Sequence, residues 1–190
     1  VPLDSNSALI AIVDSHVSRE LASSEFNVRV AECTSALATL QIYVPGLTCL
    51  RELNAKQFDK HKSHLTVEQQ KRVQHVLDEV QRTRRGAKAL RANNIAEFGA
   101  CMTAAHYSLR DLFEVSIDEL DIIVNAAIDV EGCYGARLTG AGFGGGVVAI
   151  VHPQSRDEFE RHVCQAYEAA TNIQTQVQWF SPAGGVCELS

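Results

Sequence analysis

Several things are scarce or missing in this 190-residue chain, and each absence narrows the reading. No apolar run approaches the roughly 20 residues that a membrane-spanning helix needs, and no signal-peptide pattern opens the sequence. The six cysteines (Cys33, Cys49, Cys101, Cys133, Cys164, Cys187) are scattered without a C-x-x-C pair, which argues for reduced, buried thiols in a cytosolic protein rather than a disulfide framework or zinc site. His61 and His64 lie three apart with no carboxylate or thiolate at a suggestive spacing, so they read as a solvated pair. Basic residues are outnumbered, and a formal charge of −6 argues against nucleic acid or an anionic membrane as a general partner. Internal repeats and low-complexity tracts are also missing. A hydrophobic content of 46 % is ordinary for a globular chain, long enough here for one domain spanning residues 1–190.

What is present in excess is glycine, and in one place. Thr139-Gly140-Ala141-Gly142-Phe143-Gly144-Gly145-Gly146 puts five glycines within seven residues. Each costs about 0.5–1 kcal/mol in lost backbone freedom relative to alanine. Such a stretch is kept where side chains would block a tight turn, a phosphate or a neighbouring backbone. The spacing Gly140-x-Gly142-x-x-Gly145 fits a dinucleotide-binding fingerprint, but that requires a following helix. The residues that follow, Val147 to Val151, form a short apolar run rich in β-branched residues and read as a strand. The protein-kinase form G-x-G-x-x-G-x-V is also satisfied, yet no V-A-I-K lysine, H-R-D or D-F-G follows. A Walker A loop lacks its Gly-Lys-Ser/Thr.

The flanking sequence reads as strand (8–13, ending at polar Asp14 and Ser15), then a helix over 23–40 with Ser23 and Ser24 as candidate caps. Residues 41–65 read as loop with one short helix. Thr66-x-x-Gln69 is a capping box opening a helix with Val73, Val76, Leu77 and Val80 on one face. The basic run Arg82, Arg84, Arg85, Lys88, Arg91 reads as a solvated helix face rather than a phosphate patch. A further helix runs from about Ile95 to Leu112. Ser116-x-x-Glu119 and Ser155-x-x-Glu158 have the form of two more capping boxes, the first with Leu120, Ile123, Val124 and Ala127 inward, the second with Phe159, Val163, Ala166, Tyr167 and Ala170. Strands are predicted at 134–138 and 146–151 around the glycines, with an edge strand over 175–180. This order predicts an α+β domain with helices on one face of an antiparallel sheet.

ARLTGAGFGGGVVAIV (136–151) resembles the third motif of the GHMP small-molecule kinases, in its galactokinase version. LASSEFNVRVAEC (21–33) and HYSLRDLFEVSIDELDIIVNAA (106–127) resemble two further galactokinase blocks, and ALIAIVDSHV (8–17) a strand before them. The likeness runs through roughly the first 150 residues and weakens in the last forty. It implies a ferredoxin-like GHMP kinase C-terminal domain with extra helices, in a cytoplasmic enzyme that transfers the ATP γ-phosphoryl group to the anomeric hydroxyl of galactose. The family's sugar-binding block, its serine- and glycine-rich phosphate loop and its catalytic aspartate have no counterpart in this chain. The resemblance therefore implies a C-terminal portion, inactive alone, whose partner is the N-terminal galactokinase domain. No catalytic residue or metal ligand is assigned to it, and ATP and Mg²⁺ are expected only in the complete enzyme. Gly140, Gly142, Phe143, Gly144 and Gly145 would line the cleft, and a purely packing role for them stays open. Ala141 stands at a usual glycine, harmless only if its φ is negative. Phe26 stands where the family has a sugar-touching tyrosine, with a core aromatic as the equal alternative. Arg29 would orient its helix through a carboxylate, with a surface salt bridge as the equal alternative, and Ser108, Arg110 and Asp111 match an S-x-R-D element read as structural. A non-catalytic sugar and ATP sensor, another GHMP substrate, and a stand-alone binding module are the competing readings.

Overall fold

The computed structural model describes residues 3, 6–18 and 22–183; Leu21 of the second block and Cys187 fall outside the described residues. Four strands, β1 (Leu9–Ser18), β2 (Cys133–Leu138), β3 (Gly144–Val151) and β4 (Val177–Phe180), form an antiparallel sheet in the order β2-β3-β1-β4. Six α-helices lie among the described residues: α1 (Ala22–Gln41), α2 (Ala55–His61), α3 (Val67–Arg91), α4 (Ile95–Ser108), α5 (Asp118–Ile128) and α6 (Arg156–Thr171). Reduced to the elements on the sheet, the chain reads β1-α5-β2-β3-α6-β4, the split βαβ arrangement of ferredoxin-like domains.

Period-two alternation decides the layers. Ala11 and Val13 of β1, with Ala136, Leu138, Val147, Ala149 and Val151, face α5 and α6. There they meet Leu120, Ile123, Val124, Phe159, Val163 and Tyr167, all fully buried. On the opposite face Ile10, Val148 and Ile150 pack towards Ile95, Phe98 and Met102 of α4. A third cluster lies away from the sheet, where Ala36 and Leu40 of α1 join Leu50, Phe58 and Val73.

Helix α4 also seals the side of the sheet. Gly99 and Gly135 touch backbone to backbone; a Cβ on Gly135 would sit 1.9 Å from the Gly99 oxygen. Beside that contact, Thr103 Oγ1 accepts from the Ala136 N–H (3.2 Å) and His106 Nδ1 from the Leu138 N–H (3.3 Å).

Sequence signals held where side chain and backbone cooperate locally. Thr66 and Gln69 form the reciprocal capping box at α3. A second such box, Asn54 with Gln57, starts α2, the short helix expected within residues 41–65. Helix α1 begins at Ala22, before Ser23 and Ser24, so neither serine is its N-cap. Ser116 does not cap α5: its Oγ donates to Asp121 Oδ1 (2.6 Å), and the N-cap is Ile117. Ser155 is the N-cap of α6 without a capping hydrogen bond, because its backbone completes a 3₁₀ turn (φ −95°, ψ 5°) and Glu158 pairs with Arg161. Ala170 is exposed rather than inward. β1 extends to Ser18, past its expected end, and α4 gives way at Leu109 to a π-helical turn, Leu109–Phe113. The five described cysteines are all free thiols.

Candidate active-site wall at the glycine turn

The Thr139 N–H donates to Gly146 O (3.0 Å), closing the hairpin between β2 and β3. Inside it the chain runs through a series of left-handed conformations: φ is +81° at Gly140, +82° at Gly142, +59° at Phe143, +135° at Gly144 and +78° at Gly145. Side chains disfavour this region by about 1–2 kcal/mol per residue, which explains the glycines. Ala141 is not among the positive-φ residues, so its methyl sits where alanine is unstrained. The N–H groups of Gly140, Ala141 and Gly142 have no hydrogen-bond partner among the described residues. Cβ atoms added to Gly140 or Gly145 would meet nothing within 4 Å. This side of the turn is bare main chain facing open space.

The other side is tightly held. Phe143 N–H donates to Val115 O (2.8 Å), and a Cβ on Gly142 would lie 2.2 Å from that same oxygen. Phe143 is buried, and the Arg29 guanidinium lies 5.9 Å from its ring centroid. Arg29 Nε donates to Phe113 O and its Nη2 to Glu114 O, both at 2.9 Å. Its expected carboxylate partner is present only at 3.7 Å, as Glu32. Glu114 is itself left-handed (φ +56°), and its carboxylate is gripped by Lys71 (2.5 Å) and Arg72 (2.8 Å). The hydrogen bond from Lys71, with Arg72 behind it, holds the Glu114 carboxyl below the usual glutamate range. Arg72 is almost wholly buried; it also donates to Glu32 (2.6 Å) and to Leu112 O (2.5 Å).

A cleft of about 480 Å³ opens against the turn, lined by Thr139 to Gly145 together with Asp14, His16 and Val17. β1 contributes these last three through an irregularity between Asp14 and Ser18, with His16 at φ +55° and its N–H on Asp14 Oδ1 (2.8 Å). Ser15, buried between them, donates to Gly145 O (2.6 Å), while Tyr167 Oη donates to Ser15 O (2.7 Å). Bulges of this kind often re-aim side chains beside active sites. Asp14 and His16 are cleft residues that sequence reasoning passed over; the polar D-S-H interruption of an apolar strand was the signal for them.

Other candidates fall elsewhere. Phe26 is 39 % exposed on α1, one turn before Arg29, and does not line the cleft; it is not a core aromatic. Ser108 is buried with its Oγ 2.8 Å from His75 Nδ1, whereas Arg110 and Asp111 pair on the surface. Arg82 and Arg85 of the basic run bind Glu79 and Glu97. His61 and His64 stack with Tyr43. The described residues contain no group of three or more His, Cys, Asp or Glu able to hold a metal. A larger groove of about 720 Å³ lies between residues 51–59 and α3, lined by charged Arg51, Glu52, Asp78 and Arg84 beside apolar Leu53 and Phe58.

Comparison with known proteins turns this geometry into a family assignment. The family model for the GHMP kinases C terminal matches residues 87–169, which include the whole glycine turn. The galactokinase of Roseiflexus sp. (strain RS-1) is 42 % identical over 98 % of this chain and 47 % of its own length. This chain carries a GHMP kinase C-terminal domain. The galactokinase of Clostridium perfringens (strain SM101) is 38 % identical over the entire chain and 49 % of its own length. The crystal structure of Lactococcus lactis galactokinase complexed with galactose superposes with a TM-score of 0.91 at 33 % identity, over 100 % of this chain and 49 % of that one. The GHMP domain here is thus of the galactokinase type, and it spans about half the length of the curated relatives it matches. The mevalonate kinase of L. major, at 18 % identity and a TM-score of 0.53, shares the fold alone. No helix among the described residues is long and apolar enough to cross a membrane.

Proposed function

We propose that this chain is the C-terminal half of a cytoplasmic galactokinase, in which it forms one wall of a cleft where ATP phosphorylates galactose at the anomeric hydroxyl. The observation that carries the reading is the coincidence of two facts: the likeness to galactokinases spans the whole chain, and the glycine-rich segment within it is a turn that offers unpaired main-chain donors to open space. Phosphoryl transfer is achieved largely by positioning and by neutralising phosphate charge. The N–H groups of Gly140, Ala141 and Gly142 suit donation to anionic oxygen, and the open space at Gly140 and Gly145 lets a ligand approach. The base and the Mg²⁺ ligands are proposed to come from the N-terminal half. Phe26, Val28 and Val30, all exposed on the first half of α1, provide apolar surface for that half to cover.

The test is a coupled assay on the polypeptide with its N-terminal half. Formation of galactose 1-phosphate at the expense of ATP is expected there, and none from residues 1–190 alone. Sugar and ATP binding without turnover in the complete polypeptide would refute the kinase reading and favour a sensor.

A further inference from the structure

The contacts behind the glycine turn form a chain of support that neither the family model nor the relatives' names assign. It starts at Arg29, whose side chain is only 12 % exposed and whose two N–H groups bind the successive carbonyls of Phe113 and Glu114. Those carbonyls belong to the exit of the π-helical turn, a type of irregularity frequently found at functional sites. Glu114 is a non-glycine residue in left-handed backbone, a conformation that persists only where surroundings over-determine it. Here they do: Arg29 takes its carbonyl, and Lys71 and Arg72 take its carboxylate. The next residue, Val115, is the one that binds the Phe143 N–H and blocks any side chain at Gly142. A rotation at Glu114 would carry the Val115 carbonyl away and free the turn.

We propose that Arg29 is a positioning residue for the glycine turn, acting through Glu114 and Val115, with Arg72 as the buried anchor behind it. Its guanidinium fixes the 113–115 backbone, and that backbone fixes how far Gly142–Phe143 stands out into the cleft. Arg29 touches no ligand in this scheme. The consequence for phosphoryl transfer rests on the kinase reading above; the mechanical coupling does not.

The experiment uses the complete polypeptide carrying Arg29→Gln or Arg29→Lys, with Arg85→Gln on the exposed face of α3 as control. Hydrogen–deuterium exchange is followed at the Phe143 amide and at the Ala149 amide in the middle of β3. Arg29→Gln is expected to speed Phe143 exchange about tenfold or more, the equivalent of losing one net hydrogen bond, while Ala149 stays within about twofold of the parent rate. Arg29→Lys, which keeps the charge and one donor, is expected to fall between, and Arg85→Gln to change neither amide. kcat/KM for galactose is expected to fall in the same order, with Arg85→Gln unchanged. Unaltered Phe143 exchange in Arg29→Gln overturns the proposal, and so does equal acceleration at Phe143 and Ala149, which marks general loosening. If the unsubstituted protein fails to phosphorylate galactose while the exchange contrast appears, the function proposal falls and the coupling is supported.

Discussion

Replacing Gly142 with alanine isolates the two separate reasons for glycine in this turn. Gly140, Gly142 and Gly145 have nearly the same φ, +81°, +82° and +78°, so alanine carries a similar left-handed penalty at each, about 1–2 kcal/mol. Their surroundings differ completely. At Gly140 and Gly145 the new methyl meets nothing within 4 Å; at Gly142 it lands 2.2 Å from Val115 O and 2.8 Å from Val115 Cβ. Overpacking against atoms that cannot swing aside adds about 1–3 kcal/mol. In a domain of this size about 1 kcal/mol moves the melting temperature by roughly 2–4 °C. At about 3 °C per kcal/mol, Gly140→Ala and Gly145→Ala are expected to melt about 3–6 °C below the parent, and Gly142→Ala about 6–15 °C below, by calorimetry on the complete polypeptide. Activity should separate them as well. Methyls at 140 and 145 would stand in open space at two residues that line the cleft and should raise the KM for a substrate, whereas that at 142 should act through stability and loop placement. Equal melting losses for all three variants would refute the assignment of Val115 as the wall behind the turn.

Phe26 lies on the exposed apolar surface of α1 proposed to be covered by the N-terminal half, so Phe26→Asp should lower the melting temperature of the complete polypeptide by a few degrees in calorimetry; an unchanged value would mean that this surface is left uncovered. His75 is buried against Phe113 and Ser108, and burial, opposed by Glu79 and Asp78 and aided by Arg82 and Arg137, lowers its pKa from 6.5 to about 4. The unfolded chain therefore binds more protons between those values, so stability is full above about pH 6.5 and declines as pH falls towards 4, by an amount on the order of 3 kcal/mol. Urea midpoints of His75→Gln across pH 4–7 should show a flatter decline than the parent, and an unchanged slope would remove His75 as the cause. Arg72→Met leaves Glu32, Glu114 and the Leu112 carbonyl without their shared donor. Loss of about 3 kcal/mol is expected, as when one partner of a buried pair is removed, and a denaturant midpoint within error of the parent would contradict it.

What the sequence revealed and what it hid follow from the range of the interactions. The glycine turn, its two flanking strands and the apolar stripes of α5 and α6 are written in neighbouring residues, through φ requirements and periodicity. Thr66 and Gln69 were legible for the same reason. Ser116 has an identical pattern and a different fate, because Asp121, drawn towards His106 at 3.0 Å, offers its hydroxyl a charged acceptor. The support of the turn was illegible: Arg29 and Phe113 are 84 residues apart, and nothing local to either announces the other. Asp14 and His16 were passed over because a polar break in an apolar run reads equally well as a strand's end. The β1 irregularity that aims them at the cleft becomes visible only against β3.

The glycine-to-glycine contact between α4 and β2 has a bearing on how this molecule behaves in a crowded solution. A sheet margin with vacant donors is a template on which foreign extended segments can stack. Here that margin is already capped by Thr103 and His106, and the helix lies too close for another chain to wedge itself in. Even one methyl at position 99 or 135 would push the cap outward and uncover the template, so the earliest sign of such damage should be self-association rather than unfolding.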